Sequence, residues 1–543
     1  MKRSAFILFA GLLVGLVCTH FVNAAKVDKR ALAKAWGPAE RLLKEAKDVA
    51  AQVDAVKALN GLLDKDTALE LLKFYEPNDK VGDPPPKGKP PAKPDTRPKD
   101  SHKVATAILR AVASMTDPDE ALQFKDQVNA RDTWPLRVRM SMLDAVGGCA
   151  AESTNCLNLL IDLGKTCPDT DMRVLSIDHL KRFAKNDVVR ETVFNLLGDR
   201  SWRVRDVAID AAVECAGIER DRFLLALINR LYHEEGKLRK NLADALQKIT
   251  GENLGTSCDN WCDWWTFKYK SDKGLPPHKA DKGATSARRI FETETFSNRF
   301  IFLIDSSVSM TEKISPEERE RLKKSFTRGP GENKDPDREP DGRRKLDWNK
   351  ITCKLDLARE ELIRSLEVMD PAKTVFTIIA FSDDCKFWKE ELVPTDAKNR
   401  GEAENWLRGL KGKNLTNVYG ALDEAYDFCE KLAGIDPKKS EKGGKVVTGP
   451  HPDEYIPDTI YIYTDGYATV GKYCGDKKES DKVGAEKYAP VYAEIMVNMV
   501  NEVVDRNRVC RMQINSVGVG RQDKRTLGNL ARMNKGVYVA LGQ

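Results

Sequence analysis

The sequence predicts a multidomain protein, in which an all-α region of stacked helical repeats precedes an α/β domain with a mostly parallel central sheet flanked by helices. A pattern of apolar residue, Arg, three residues, apolar residue and Asp recurs between residues 138 and 244. After about residue 295, short continuous apolar runs alternate with helical patterns, as in parallel sheets buried on both faces. Two of these runs end in Asp, and the carboxyl ends of such strands are where open α/β sheets bind ligands.

Residues 1–25 are predicted to form a secretory signal peptide. Lys2 and Arg3 precede an apolar run over residues 5–17, and small residues follow at 22–25, so we expect cleavage near Ala24. The apolar run is shorter than the roughly 20 residues that a membrane-spanning helix needs, which disfavours an uncleaved anchor. We therefore expect an exported protein of the periplasm, cell envelope or medium, with no transmembrane segment in the mature chain.

Charge and cysteine content limit the classes of partner. The formal net charge is +6 and falls to +4 without Lys2 and Arg3, which is small for 543 residues and argues against nucleic acid as a partner. Eleven of the twelve cysteines follow the signal segment, and in an exported protein some of them are expected to pair. Cys258 and Cys262 are closely spaced, but no histidine lies near them, which disfavours structural zinc.

Two segments of contrasting composition come next. Residues 26–76 are rich in Ala, Leu and Lys with apolar spacing near 3.6, which predicts helices. Residues 77–103 contain eight prolines and repeated lysines, which predict an extended, solvated insert rather than a packed element.

Residues 104–252 are predicted to be helical repeats. Arg139, Arg173, Arg205 and Arg239 lie 34, 32 and 34 residues apart, and each repeat has Asp five residues after its Arg. Stacked repeats place equivalent side chains next to each other, so we expect these arginines in one row, with charged ladders between repeats rather than catalytic roles. The V-R-x-x-A run at 204–208 resembles HEAT repeats; the period is shorter than their usual ~40, so other helical-pair repeats remain open.

Residues 253–294 are predicted to be a Trp-rich cap followed by a linker. Trp261 and Trp265 lie one helical turn apart in the sequence C-D-N-W-C-D-W-W. One helix could therefore cover the end of the last repeat with aromatic surface, which a stack of repeats requires. A carbohydrate-binding platform is the alternative use of these tryptophans.

The α/β domain is predicted over residues 295–543, with a metal site at one edge of its sheet. Asp305, Ser307 and Ser309 follow the apolar run 300–304, Thr416 precedes a helical pattern, and Asp465 follows the run 459–464. Carboxylate and hydroxyl ligands favour Mg²⁺, with Mn²⁺ or Ca²⁺ as alternatives, over Zn²⁺.

The pattern D-x-S-x-S, then Thr, then Asp-Gly resembles the metal-ion-dependent adhesion site (MIDAS) of the von Willebrand factor A (vWA) domain. Val308 stands where Gly is common in that family. The resemblance implies a Rossmann-like fold and a metal whose open coordination position is filled by an exposed Asp or Glu of a protein partner. It also implies that Ser307, Ser309 and Thr416 ligate directly and that Asp305 and Asp465 ligate directly or through water. The whole chain resembles exported bacterial, planctomycete-type, proteins that join HEAT repeats to a vWA domain.

The predicted function is protein binding, for adhesion or as an assembly scaffold, and not enzymatic. A structural scaffold with a silent metal site is one alternative. A metal-dependent hydrolase is another, since bound divalent ions activate water. The motifs H-E-x-x-H and G-x-S-x-G are absent, and Gly164-Lys165-Thr166 lacks the earlier glycine of a phosphate-binding loop. Three insertions, at 311–348, 435–458 and 472–484, are interpreted either as partner-binding surface or as passive loops.

Overall fold

The computed structural model describes residues 26–45, 48–75, 101–131, 133–278, 288–326, 337–339, 341–412, 415–433, 452–469, 485–520 and 522–542. The predicted signal peptide, nearly all of the Pro/Lys-rich insert and most of the two later insertions lie outside these residues. The chain divides into two compact units, residues 1–75 with 104–159, and residues 76–103 with 160–543. Each unit is described by itself.

The first unit is helical where it is described. Aspartates begin several of its helices: Asp48 and Asp64 accept hydrogen bonds from backbone N–H groups of the first turn, which would otherwise lack partners. The helix at Ser101 starts inside the segment 77–103 that was predicted to be an insert, so that prediction is wrong for its last three residues. The helices are α1 (Lys29–Glu45), α2 (Val49–Lys57), α3 (Lys65–Leu72), α4 (Ser101–Ala113), α5 (Pro118–Leu122), α6 (Lys125–Asn129), α7 (Leu136–Cys149) and the first part of α8 (Thr154–Thr166).

The second unit begins with helices whose order follows the predicted repeats. Helix α11 packs against both α9 and α13. Arg173, Arg205 and Arg239 are each the fourth residue of their helix, so the sequence repeat is also a repeat of helix position. Arg139 is likewise the fourth residue of α7 in the first unit. The helices of this region are α9 (Thr170–Leu180), α10 (Asp187–Leu196), α11 (Trp202–Cys215), α12 (Arg220–His233), α13 (Gly236–Thr250) and α14 (Cys258–Tyr269).

The repeated arginines bind the backbone just before their own helix. Arg173 Nη1 donates to the carbonyls of Cys167 and Pro168, at 2.8 and 3.3 Å. Arg205 Nη1 donates to the carbonyls six and five residues earlier in the same way, at 2.8 and 3.1 Å. Arg173 is buried and Arg205 is partly buried, and each guanidinium group provides hydrogen-bond donors for carbonyls just before its helix.

Ion pairs extend this pattern from one helix pair to the next. Arg173 pairs with Asp199 at 3.3 Å, and Arg205 pairs with Glu234 at 2.7 Å, each acid lying just before the next repeated helix. Two of the repeated aspartates do not join these ladders, contrary to prediction. Asp178 and Asp210 instead contact Arg508 and Arg511 of the α/β region, because they lie on the helix surface that packs against it.

Helix α14, which contains the Trp-rich sequence, packs against α12. Trp261 and Trp265 are buried, and Cys258 Sγ lies 3.6 Å from the Ile228 carbonyl oxygen of α12. Among the ten cysteines of the described residues no disulfide joins one to another, so the expected pairing is not found there; nine of the ten are buried and pack as small apolar groups. No helix in the described ranges combines the length and apolarity needed to cross a membrane.

A sheet of seven strands forms the centre of the α/β region. Strands β4, β3, β7, β8 and β9 run parallel in that spatial order, and β5 and β6 pair antiparallel with β4. A separate antiparallel hairpin, β1–β2, occupies part of the segment 253–294 that was predicted to be cap and linker. The strands are β1 (Arg288–Ile290), β2 (Thr293–Thr295), β3 (Arg299–Asp305), β4 (Val375–Phe381), β5 (Cys385–Phe387), β6 (Val393–Pro394), β7 (Thr459–Thr464), β8 (Gln513–Val519) and β9 (Tyr538–Leu541).

Helices cover both faces of this sheet, as predicted. Phe300 and Phe302 of β3 pack with Leu362 of α16 in one core cluster, while α18 contacts β3 and β4 and packs against α19. The chain leaves β3 for β4 on one side and returns to β7 on the other, so the strand order reverses between β3 and β7. The helices here are α15 (Pro316–Phe326), α16 (Lys354–Glu367), α17 (Ala397–Arg408), α18 (Val418–Ala433), α19 (Ala485–Cys510) and α20 (Lys524–Met533).

Candidate metal centre

Asp305, the last residue of β3, organises the loop that follows it. Its Oδ1 accepts a hydrogen bond from the Ser307 N–H at 2.8 Å, and its Oδ2 accepts one from the Thr464 hydroxyl at 2.6 Å. Ser306 turns the other way, and its hydroxyl donates to the Phe381 carbonyl at 3.0 Å. Alternate residues of this loop thus project toward the sheet edge and away from it.

Asp465 reaches the same point from β7. Ser309 Oγ donates to Asp465 Oδ1 at 2.9 Å, and the hydroxyl oxygens of Ser307 and Ser309 lie 3.0 Å apart. Gly466 has φ of +106°, and a Cβ there would lie 2.7 Å from the backbone nitrogen of Asp523, so this turn requires glycine. Hydrogen bonds therefore connect Asp305, Ser307, Ser309 and Asp465 at the point where the strand order reverses.

Thr416, the fifth predicted residue, is tied to the segment after Asp465 through its backbone. Its N–H donates to the Thr469 hydroxyl at 2.9 Å, and the Thr469 N–H donates to the Thr416 carbonyl at 2.8 Å. The next residue, Asn417, donates its N–H to the Ser382 carbonyl at 2.7 Å. Thr416 is buried and lies two residues before the start of α18.

Burial controls the protonation of Asp305. Removal of this carboxyl group from water raises its pKa to about 7, although the hydrogen bonds from Thr464 and Ser307 favour the charged form. The neighbouring carboxylate of Asp465 contributes to the same upward shift. A divalent cation next to both carboxylates would offset this cost of burying negative charge.

Sequence reasoning missed Lys354, which contacts the site directly. Its Nζ lies 3.0 Å from Asp465 Oδ2, and both side chains are only 9% exposed. Lys354 is the first residue of α16, where the positive end of the helix dipole disfavours a cation. A lysine at the start of a helix was the sequence feature that could have indicated a nearby acidic side chain from another part of the chain.

The side chains at this edge fit a hard divalent cation. Carboxylate and hydroxyl oxygens are the ligands that such ions prefer, and Asp465 already accepts a positively charged group, the Lys354 ammonium. Among the described residues, no three His, Cys, Asp or Glu side chains lie close enough together to hold a metal ion. The predicted ligand set contains two acids and three hydroxyl residues, so it does not belong to that class of metal site.

Comparison with known proteins provides independent information. No protein-family model matches the chain. The inter-alpha-trypsin inhibitor heavy chain H4 of Bos taurus is 28% identical over 123 residues, which are 22% of this chain and 11% of that protein. The human von Willebrand factor A domain-containing protein 3B is 29% identical over 83 residues, 15% of this chain and 6% of that protein. This chain contains a segment homologous to the vWA domain.

The matched segment spans about a tenth or less of the length of these two relatives. Among solved structures, a von Willebrand factor type A protein from Catenulispora acidiphila is 13% identical and covers 46% of this chain and 40% of its own, with a TM-score of 0.25. A similarity of that size adds no argument of its own. The vWA homology agrees with the mostly parallel sheet and its flanking helices.

Proposed function

We propose that this chain is an exported protein-binding protein, for adhesion or assembly, which captures an Asp or Glu of a partner protein. Its vWA domain would hold Mg²⁺, or alternatively Mn²⁺ or Ca²⁺, with the side chains of Asp305, Ser307, Ser309, Thr416 and Asp465. The observation that supports this most is the continuous set of hydrogen bonds from Asp305 to Asp465 at the carboxyl ends of β3 and β7.

Charge explains why an acidic partner is proposed. Two carboxylates balance the charge of one divalent ion, and such an ion retains positions for further oxygen ligands. The ion would supply an open coordination position at the protein surface. A partner carboxylate carries a full negative charge to that position, whereas a neutral sugar hydroxyl carries none, so the acid binds more strongly.

The helical repeats and the export signal complete the proposal. Helices α9–α14 would supply a HEAT-type platform that binds partners without the metal. Residues 1–25 would direct export, and the mature chain would begin after Ala24 or Ala25. Amino-terminal sequencing of the protein recovered from the envelope fraction tests this, and an uncleaved terminus in the cytoplasm would contradict export.

Partner capture tests the metal-dependent mechanism. The immobilised protein is exposed to an envelope extract of its source organism in Mg²⁺ or in chelator, as the wild type, Thr416→Ala and Thr311→Ala. Thr311 is the matched control, because it is exposed and its hydroxyl bonds only within the same turn, to the Val308 carbonyl at 2.8 Å. We expect chelation and Thr416→Ala each to reduce capture at least tenfold and Thr311→Ala to leave it unchanged.

A structural scaffold with a silent metal site is the second candidate, and one observation favours it. Lys354 already pairs with Asp465, so the charge of this carboxylate is compensated without an ion. If capture survives both chelation and Thr416→Ala, while circular dichroism confirms that the variant is folded, the adhesion mechanism is wrong. The protein would then bind through its repeats.

A further inference from the structure

The absence of a side chain at Gly520 leaves space for the ammonium group of Lys354. Gly520, just after β8, has φ of +67°, and a Cβ there would lie 3.1 Å from Lys354 Cε and 2.8 Å from Glu318 Oε1. Any larger residue at position 520 would press on both side chains. The lysine, Glu318 and Asp465 thus belong to one small polar cluster beside the predicted metal ligands.

Lys354 has two acids within reach. It is paired with Asp465, a predicted metal ligand. Glu318 is half-buried on α15, the helix that begins in the insertion directly after the metal loop, and a Cβ at Gly520 would lie 2.8 Å from its Oε1 and 3.4 Å from Lys354 Nζ. Lys354 carries its ammonium group on a flexible four-carbon chain, so the group can change partner without moving the backbone.

We propose that Lys354 is an internal cation that competes with the divalent ion for Asp465, and that Glu318 receives its ammonium group when the ion binds. This inference rests on the proposed function, because it concerns the same site. Without the ion, Lys354 compensates the buried Asp465 charge. With the ion present, two cations would share one carboxylate, and the repulsion between them is relieved when the lysine turns to Glu318.

The competition predicts opposite effects for two substitutions. Lys354→Met removes the competing charge while retaining the length and packing of the side chain, so the divalent ion should bind about tenfold more tightly. Glu318→Gln removes the alternative acceptor and leaves Lys354 on Asp465, so the ion should bind severalfold more weakly. A lysine that only oriented Asp465 for the metal would give the reverse result with Lys354→Met.

Calorimetric titration of the full-length chain with Mg²⁺ and with Mn²⁺ tests this. Lys350→Met is the control for Lys354→Met, since Lys350 is exposed and pairs with Asp347 rather than with the site. Glu317→Gln is the control for Glu318→Gln, because Glu317 is the exposed neighbour on the same helix. Thermal unfolding in chelator provides a second readout: Lys354→Met should unfold at a lower temperature than the wild type, and Mg²⁺ should raise its midpoint more.

The outcomes separate this inference from the proposed function. Tighter binding by Lys354→Met and weaker binding by Glu318→Gln support both. If the wild type binds the ion and Lys354→Met binds it equally or more weakly, the competition is overturned while the metal site stands. Binding by Lys354→Met alone supports the competition and overturns metal-dependent capture by the native protein. If no form binds an ion, both are overturned.

Discussion

Asp305 carries the largest electrostatic cost at the proposed site. It is fully buried, and within the described part of the chain its carboxylate accepts hydrogen bonds from neutral groups, which leaves its pKa near 7 instead of about 4. A carboxyl group in this position destabilises the fold when it is charged and uncompensated. Its presence therefore favours a cation-binding role over a structural one.

The first prediction follows from that position. Asp305→Ala should abolish Mg²⁺ and Mn²⁺ binding, because it removes a charged ligand and the acceptor that orients Ser307. Ser306→Ala is the matched control, since the Ser306 hydroxyl bonds to Phe381 on the other side of the loop. Calorimetry that finds equal ion binding by Asp305→Ala and the wild type would contradict the site.

The residues of the site show what sequence can and cannot reveal. Asp305, Ser307, Ser309 and Asp465 were identified because each lies at a fixed offset from the end of an apolar run, and parallel strands bring such ends together. Lys354 was not, because its role depends on the side-chain path from α16 across to β7, which no local pattern encodes. Its position at a helix start was unusual but did not indicate which acid it contacts.

At the level of the secondary-structure element, long apolar strands could be predicted from the sequence and short ones could not. Strands β3, β4, β7 and β8 are long and buried, so their sequences alone indicated them. The short strands β1, β2, β5 and β6 were missed, since a strand of two or three residues is too short to show a periodicity. The repeated helices were found through their arginines rather than through amphipathic patterns.

A prediction at the level of the helix concerns these arginines. Arg173→Lys should lower the free energy of unfolding by about 2 kcal/mol, because one ammonium cannot replace the fork that binds two carbonyls and Asp199 while buried. Arg200→Lys, at an exposed position, should change it by less than about 0.5 kcal/mol. Urea denaturation measures both, and equal effects would indicate that the repeated arginines have no special structural role.

At the scale of the whole second unit, charged groups join the helices α9–α13 to the vWA domain. Arg203 of α11 pairs with Asp453, two residues before the end of the 3₁₀ turn that leads to β7, at 2.9 Å. The Trp202 indole donates to the Asp453 carbonyl at 2.6 Å. These partners lie about 250 residues apart in the sequence, so the alternation of charge along either segment could not reveal the contact.

Asp206 lies at the centre of this contact. Its Oδ2 is 2.7 Å from Arg511 Nε, and the side chain is buried. Burial alone would raise the pKa of Asp206, but Lys237, Arg511 and Lys535 outweigh it and hold the pKa well below its usual value. The charged carboxylate is therefore stabilised by folding, and this contribution is fully present above about pH 4, the pKa in the unfolded chain.

Replacement of Asp206 should reveal that contribution and its pH dependence. Asp206→Asn should lower the free energy of unfolding by about 3 kcal/mol at pH 7, because it leaves buried cations without their partner. The difference in unfolding free energy from the wild type should stay constant down to pH 5. It should shrink by about 1.4 kcal/mol for each pH unit below about 4, because Asp206 then binds a proton in the unfolded wild-type chain but not in the folded one.

Asp244→Asn is the control, since Asp244 pairs with Lys240 at an exposed position and should contribute less than about 1 kcal/mol at any pH. Urea denaturation between pH 3 and 7 measures both differences; one that did not change with pH would mean that Asp206 stabilises the contact through packing and hydrogen bonds rather than through its charge.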